Sequence, residues 1–145
     1  MKTAKECREY YYTHPELFPH HEEVRVKIND FGKVGIDKNM VDIITTLNKK
    51  GYYTEACCEG SPWFENIGTF ILFAEEYEFP TLPKGFYETP FHHHRKSIHI
   101  YTKDVEKKFR KNFPNIEEAN DFKMEHIEYL LSWANSLPSR KRKAC

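Results

Sequence analysis

The sequence contains no uncharged apolar run of the roughly 18 residues that a membrane-spanning helix needs. Its first residues, MKTAKECREYYYTHPE, carry a charge every few positions and lack the apolar segment of a secretion signal. Net charge is also absent, because 22 basic and 22 acidic side chains cancel. We therefore expect a cytoplasmic protein with no membrane partner, in which any site for nucleic acid is a local patch of charge.

The paired ligand spacings of structural zinc sites, such as C-x2-C and H-x3-H, are absent as well. In a reducing compartment the cysteines are expected as thiols or metal ligands rather than as disulfides. We therefore expect no cofactor, with zinc as the alternative. Zinc would need one thiolate of Cys57 or Cys58 together with two histidines, such as His92 and His94.

Length and composition favour one compact domain. A chain of 145 residues buries enough surface for a core of its own. We expect a single domain over residues 1–145, with an N-terminal arm (1–21) and a basic tail (139–145) at its periphery. Aromatic residues make up 15% of this polar chain and leave ring surface for a binding face.

The spacing of apolar residues predicts strands over residues 24–28, 52–57, 69–74 and 96–102. It predicts a helix capped by Asp37 and ended by Gly51, and two C-terminal helices, at 104–112 and from Asn115 to Pro138. The prolines within 75–95 argue against a regular element there and indicate a binding loop or lid. The predicted fold class is α/β (α+β): a single domain with one helix on a four-stranded mixed sheet and two C-terminal helices.

The stretch GYYTEACCEGS places Cys57 and Cys58 at a predicted strand end, followed by a turn through Gly60. Ligands gather at such ends in α/β sheets, and a turn containing glycine can present N–H groups to an anion. The turn Cys58-Glu59-Gly60-Ser61 is therefore a candidate phosphate site. The alternative is structural, since adjacent strand residues face opposite sides and one cysteine of the pair must be buried in any case.

A second candidate site lies in FHHHRKSIHIY, where donor groups lead into a predicted strand. An arginine fork and lysine bind phosphate, an imidazole serves as acid or base near neutral pH, and an aromatic ring stacks on a base. The alternative is a solvated polar edge. The candidate acid or base residues are His92, His93, His94 and His99.

Two further features bear on the candidate site at the cysteine pair. Trp63 and Phe64 are either a lid over a ligand or a hydrophobic plug. Glu55 and Glu59 flank the cysteine pair and would raise a thiol pKa, which argues against a cysteine nucleophile.

The segments LNKKGYYTEACCEGS, TFILFAEE and LPKGF resemble a set of small uncharacterised proteins of low-GC Gram-positive bacteria and their phages, with the pattern LNxxGYxTxxCCxGH. The resemblance covers near a quarter of the chain, and Ser61 stands where the pattern has histidine. The same region is distantly similar to the wybutosine-synthesis tRNA methyltransferase family. That resemblance would carry over only Cys58 and Gly60, as part of a substrate or methyl-donor loop.

The leading functional prediction is a non-catalytic protein, of phage or mobile-element origin, that binds a nucleotide or a short nucleic acid through phosphate. The alternatives are a module that inhibits a host defence protein, with the aromatic 75–91 loop as its surface, and an RNA- or nucleotide-modifying enzyme with a histidine acid or base. Oligomeric state is left open, with a homo-oligomer as one alternative. The predicted ligand-binding residues are Cys58, Glu59, Gly60, Ser61, Trp63, Phe64, His94, Arg95, Lys96, His99 and Tyr101.

Overall fold

The structure, a computed structural model, describes residues 4–14, 16, 21–29, 32–60, 68–90, 98–102 and 116–140. The helices in these ranges are α1 (Ala4–Thr13), α2 (Val41–Lys49), entered through a 3-10 turn (Lys38–Met40), and α3 (Ile116–Ser136). The strands are β1 (Glu23–Asn29), β2 (Gly32–Asp37), β3 (Thr54–Cys58), β4 (Phe70–Phe73), β5 (Phe86–Pro90) and β6 (Ile98–Thr102). None of these helices has the length and apolar character needed to cross a membrane.

The strands pair in two groups. β1 and β2 form an antiparallel two-stranded ribbon in which Val26 lies opposite Val34. The remaining strands pair antiparallel in the order β3-β4-β6-β5. β4 is internal in this order, and its residues Ile71, Leu72 and Phe73 are buried. The prediction of a buried strand over 69–74 is confirmed.

The predicted fold, a helix on a four-stranded mixed sheet with two C-terminal helices, is wrong. The strand predicted at 24–28 exists as β1, but it pairs with the unpredicted strand β2 in a separate ribbon. Every pairing between described strands is antiparallel, and β4 pairs with β6 rather than with β5, the strand that follows it in the chain. In the described C-terminal region the helix is α3, while the helix predicted at 104–112 lies outside the described residues.

The prediction that residues 75–95 hold no regular element is wrong for residues 86–90, which form β5. Phe86, at the start of this strand, is buried. Pro90 is tolerated at its other end because β5 is an edge strand, where a missing N–H leaves no partner strand unpaired.

Helix α2 supplies the centre of the core. The predicted apolar stripe of Met40, Ile43, Ile44 and Leu47 is confirmed, since all four side chains are almost completely buried. Ile127, Leu130 and Ala134 of α3, and Leu137 just after it, are buried in the same cluster, as their helical spacing predicts.

Lys50 fixes the end of α2 to the end of α3. Its Nζ donates hydrogen bonds to the carbonyl oxygens of Ala134, Asn135 and Leu137, at 2.9, 2.6 and 2.7 Å. These carbonyls lie in the last turn of α3 and at the residue just after it, where a helix leaves acceptors unsatisfied and favours a positive charge. The two helices are therefore held together by polar contacts as well as by their apolar faces.

The irregular segment between β4 and β5 is packed onto the core by aromatic rings. The Phe79 ring centroid lies 5.0 Å from that of Phe73 and 5.1 Å from that of Trp133. The Trp133 indole N–H donates to the carbonyl of Thr81 at 2.8 Å. Phe79 and Phe86 are therefore not exposed together with Tyr87, which is 37% exposed. The aromatic surface expected of a protein-interaction loop does not form from these three residues.

The burial of Leu47 gives a test of the core. Leu47→Ala removes a side chain that is 0% exposed and should lower the free energy of unfolding by about 2–5 kcal/mol, because the cavity cannot close completely. Leu82 is 40% exposed, so Leu82→Ala is the matched control and should change it by less than about 1 kcal/mol. Urea denaturation measures both, and equal losses would contradict this assignment of the core.

Candidate metal centre

The end of β3 turns the two adjacent cysteines to different surroundings, and both are free thiols. Cys57 packs against the hydrophobic core, where burial, followed by the charge of Asp37, raises the pKa of its thiol to about 12. The thiol of Cys58 lies instead with His21 and Asp37. Because adjacent strand residues face opposite sides, Cys58 is the cysteine that faces the polar site.

His21, Asp37 and Cys58 form a group with the chemistry of metal ligands. Each offers one ligand atom, and the three atoms lie within 4.8 Å of one another. His21 Nδ1 is 3.3 Å from Asp37 Oδ2. A tetrahedral Zn²⁺ with ligands at about 2.0–2.3 Å would hold pairs of them roughly 3.3–3.7 Å apart, so a small contraction of this group would enclose an ion. The arrangement is therefore compatible with a metal site.

The backbone of Gly60 contacts two of the three candidate ligands. Its carbonyl oxygen is 2.9 Å from His21 Nε2, so a tautomer protonated at Nε2 can donate to it and leaves Nδ1, 3.3 Å from Asp37 Oδ2, as the ring atom able to bind a metal. Its N–H donates to Cys58 Sγ at 3.4 Å. A carbonyl that orients an imidazole is typical of the groups surrounding metal ligands in proteins.

Asp37 was predicted to cap a helix, and this prediction is wrong. It precedes the 3-10 turn, but its side chain makes no capping hydrogen bond. Its Oδ2 instead accepts a hydrogen bond from the backbone N–H of Glu59 at 2.9 Å. The carboxylate at the end of β2 is thereby fixed beside the end of β3, although the two strands belong to different sheets.

A buried ion pair between Glu59 and Lys123 lies next to the three candidate ligands. Glu59 and Lys123 are 1% and 4% exposed, and Lys123 Nζ is 3.7 Å from Glu59 Oε2. Asn39 donates a second polar contact to the same oxygen. Burial lowers the pKa of the Lys123 ammonium, while the charges of Glu59 and Asp37 oppose that shift. The cluster therefore combines acidic, basic and thiol groups in a small, largely dehydrated volume.

The predicted phosphate-binding turn is not supported by these contacts. The N–H groups of Glu59 and Gly60 both donate within the protein, to Asp37 and to Cys58. The Glu59 carboxylate would also repel an anion. Burial raises the pKa of the Cys58 thiol, against the lowering effect of the Gly60 hydrogen bond, which agrees with the expectation that these thiols are poor nucleophiles.

The structure brings together three of the predicted site residues, Cys58, Glu59 and Gly60. For His99 and Tyr101 it describes the backbone in β6, opposite Leu72 and Phe70 of β4. The remaining predicted site residues lie outside the described residues: Ser61, Trp63, Phe64, His92, His93, His94, Arg95 and Lys96. A role for any of these in phosphate binding or catalysis stays a prediction.

The partners of Cys58 were not predicted from the sequence. His21 was assigned to a peripheral arm and Asp37 to a helix cap, and nothing singled out Asn39 or Lys123. No local pattern marks these residues, because they approach Cys58 only when the ribbon and α3 pack against the end of β3. The one available signal was a histidine next to a strand start, which many proteins share.

Comparison of the chain with protein-family models, curated proteins and solved structures finds no match. The resemblances suggested by LNKKGYYTEACCEGS remain predictions, and the geometry of the site is the basis for any functional proposal.

The two contacts of Gly60 depend on its backbone conformation, which has φ +89°. A Cβ here would lie 2.8 Å from the backbone nitrogen of Thr69, so Gly60→Ala strains φ and also displaces a neighbouring strand start. Gly32→Ala is the matched control, since Gly32 has φ +103° with nothing within 4 Å of a Cβ. We expect the control to lose about 1–3 kcal/mol of stability and Gly60→Ala to lose at least about 1 kcal/mol more. Denaturant unfolding compares them, and equal losses would show that the close approach does not matter.

The pKa of Cys57 predicts slow alkylation. At pH 8 a thiol of pKa about 12 has roughly 1,000-fold less thiolate than one of pKa 9.0, and the rate should rise about tenfold per pH unit until the pKa is reached. Iodoacetamide labelling of a Cys58→Ser variant, followed by peptide mass mapping, measures Cys57 alone. The same variant unfolded in urea provides the reference rate. A folded rate within tenfold of that reference would refute the buried, protonated state.

Proposed function

We propose that the protein binds a divalent transition metal, with Zn²⁺ as the preferred ion, through His21 Nδ1, Asp37 and the Cys58 thiolate. The mutual placement of these three ligand atoms, with Gly60 contacting both His21 and Cys58, is the observation that carries the proposal. The zinc ligands predicted from the sequence were Cys57, Cys58, His92 and His94, and the proposed set shares Cys58 with them.

The donor types favour zinc over the common hard cations. Ca²⁺ and Mg²⁺ take oxygen ligands, whereas a thiolate, an imidazole and a carboxylate together suit Zn²⁺. Asp37 and a Cys58 thiolate would bring two negative charges, which a dication neutralises. The cytoplasmic location expected from the sequence also stays a proposal, and a reducing compartment would keep Cys58 available as a ligand.

Three protein ligands are fewer than the four of a closed structural zinc site. His21 and Asp37 are 25% and 18% exposed, so solvent reaches the side of the group where they lie. We infer that a water molecule or an exogenous donor completes the coordination.

The test compares Cys58→Ser with Cys57→Ser, which removes the adjacent thiol and leaves the proposed ligands in place. Purified wild-type protein should bind about one equivalent of Zn²⁺, measured by elemental analysis after dialysis against a weak chelator. Cys58→Ser and His21→Ala should weaken binding by at least about 100-fold, more than the loss expected for a group that only orients a ligand, and Cys57→Ser should bind as wild type does.

Cobalt substitution reports the ligand type directly. Co²⁺ bound at this site should give a thiolate-to-metal charge-transfer absorption that Cys58→Ser abolishes and Cys57→Ser retains. The proposal fails if wild-type protein binds no metal, or if the two cysteine variants lose binding equally.

The functions predicted from the sequence remain predictions beside this proposal: nucleotide or nucleic-acid binding, inhibition of a host protein, and modification of RNA or a nucleotide. A metal centre is compatible with binding and with catalysis alike.

A further inference from the structure

One face of the β1-β2 ribbon packs partly on the core, with its residues Val24 and Val34 still 38% and 39% exposed, and the other face is in solvent. Val26 and Ile28 pack against the core cluster, so the alternating residues Arg25 and Lys27 point the other way and are exposed. The register places Lys27 directly opposite Lys33 of β2. Arg25, Lys27 and Lys33 are therefore on the same outer face, and we refer to them as the basic face.

The three cations of the basic face are held close together. Arg25 lies opposite Gly35, and its Nη2 donates to the backbone carbonyl of Lys33 at 3.3 Å, so the guanidinium reaches across to the strand that carries Lys33. Like charges placed directly across an antiparallel pair destabilise it. The ribbon therefore keeps Lys27 and Lys33 together at a cost in stability.

Among the described residues, none forms an ion pair with Arg25, Lys27 or Lys33. Two acids share the face by the same alternation, Glu23 and Asp37, which lies opposite it. The Glu23 carboxylate occupies the space beside Gly35 where a side chain would lie, and Asp37 accepts a hydrogen bond from the backbone N–H of Glu59. Three cations against two carboxylates leave an excess of positive charge on this face, at the end that carries Lys27 and Lys33.

We propose that the basic face binds the phosphodiester backbone of a nucleic acid without reading its sequence. The positive charge of this face is complementary to the negative charge of the phosphates. Lysine and arginine contact phosphates, position a nucleic acid and release counterions, and these contacts do not require contacts to the bases. The face presents no apolar side chain to insert into a lipid bilayer, which favours a nucleic acid over a membrane surface. It is a different surface from the turn Cys58–Gly60, and it does not depend on a bound metal.

The test is fluorescence anisotropy of the full chain with a labelled duplex of about 20 base pairs and with the corresponding single strand. Three phosphate contacts on the duplex predict a slope of about −2.7 in log K against log salt, which is a loss of roughly 40-fold between 50 and 200 mM salt. Lys27→Gln/Lys33→Gln should reduce the steepness of that slope by about two units and weaken binding at 50 mM salt at least tenfold.

The matched control is Lys49→Gln/Lys84→Gln, which makes the same change in charge at two exposed lysines outside the ribbon. It should bind nearly as wild type does. Lys27→Gln/Lys33→Gln should unfold at the wild-type temperature or above, since it removes a like-charge pair, and this shows that lost binding is not lost structure.

Several results would overturn the proposal: no binding by wild-type protein at 50 mM salt, equal losses in the two double variants, or a salt slope that the ribbon variant leaves unchanged. Binding to vesicles of anionic lipid without binding to either oligonucleotide would overturn it in favour of a membrane surface. Oligonucleotide binding should persist in Cys58→Ser, so the metal centre and the basic face can fail separately.

Discussion

The buried carboxylate of Glu59 is the interaction on which this arrangement depends. An ionised side chain without partners in a protein interior costs several kcal/mol, so its partners must be in place for the chain to fold around it. Lys123 supplies the opposite charge from α3, and Asn39 supplies a polar contact from the turn before α2. The backbone of the same residue donates to Asp37 and accepts from Thr69. One residue thus connects the ribbon, both strands of the β3-β4 pair and the C-terminal helix.

The candidate metal site follows from that constraint. Because Glu59 is fixed, its neighbours Cys58 and Gly60 are fixed as well, and Gly60 then contacts both His21 and the Cys58 thiol. The adjacent cysteines consequently have different roles. Cys57 fills space against the core, where a thiolate is unfavourable, and Cys58 lies among groups that stabilise a bound cation. The pair is best understood as one apolar residue and one ligand at consecutive positions of a strand.

Local patterns made most individual elements predictable, but they did not predict how the elements assemble. Alternation in residues 24–28 and the helical stripe from Met40 to Leu47 depend on short-range periodicity, and both are confirmed. Nothing in those patterns says that β1 pairs with β2 rather than with β4, and the prolines concealed the edge strand β5. At the site, Cys58 and Gly60 belong to one short motif and were found. His21, Asp37 and Lys123 come from distant segments and meet only in the folded chain, so the sequence carried no specific signal for them.

Charge is separated along the ribbon in a way that keeps the two proposed activities independent. Asp37, a candidate metal ligand, ends β2, while Lys33 lies four residues earlier, about 13 Å away at the rise of an extended strand. That distance exceeds the screening length of about 10 Å at 0.1 M salt, so Lys33 and the opposite Lys27 feel the acidic end only weakly. Arg25 lies opposite Gly35, two residues from Asp37, and is closer to that end. The cations at the acidic end are already paired, Lys38 with Glu22 at 3.3 Å and Lys123 with Glu59 at 3.7 Å. Lys27 and Lys33 form no ion pair with a described residue, so they are the cations of this region that an external anion can contact.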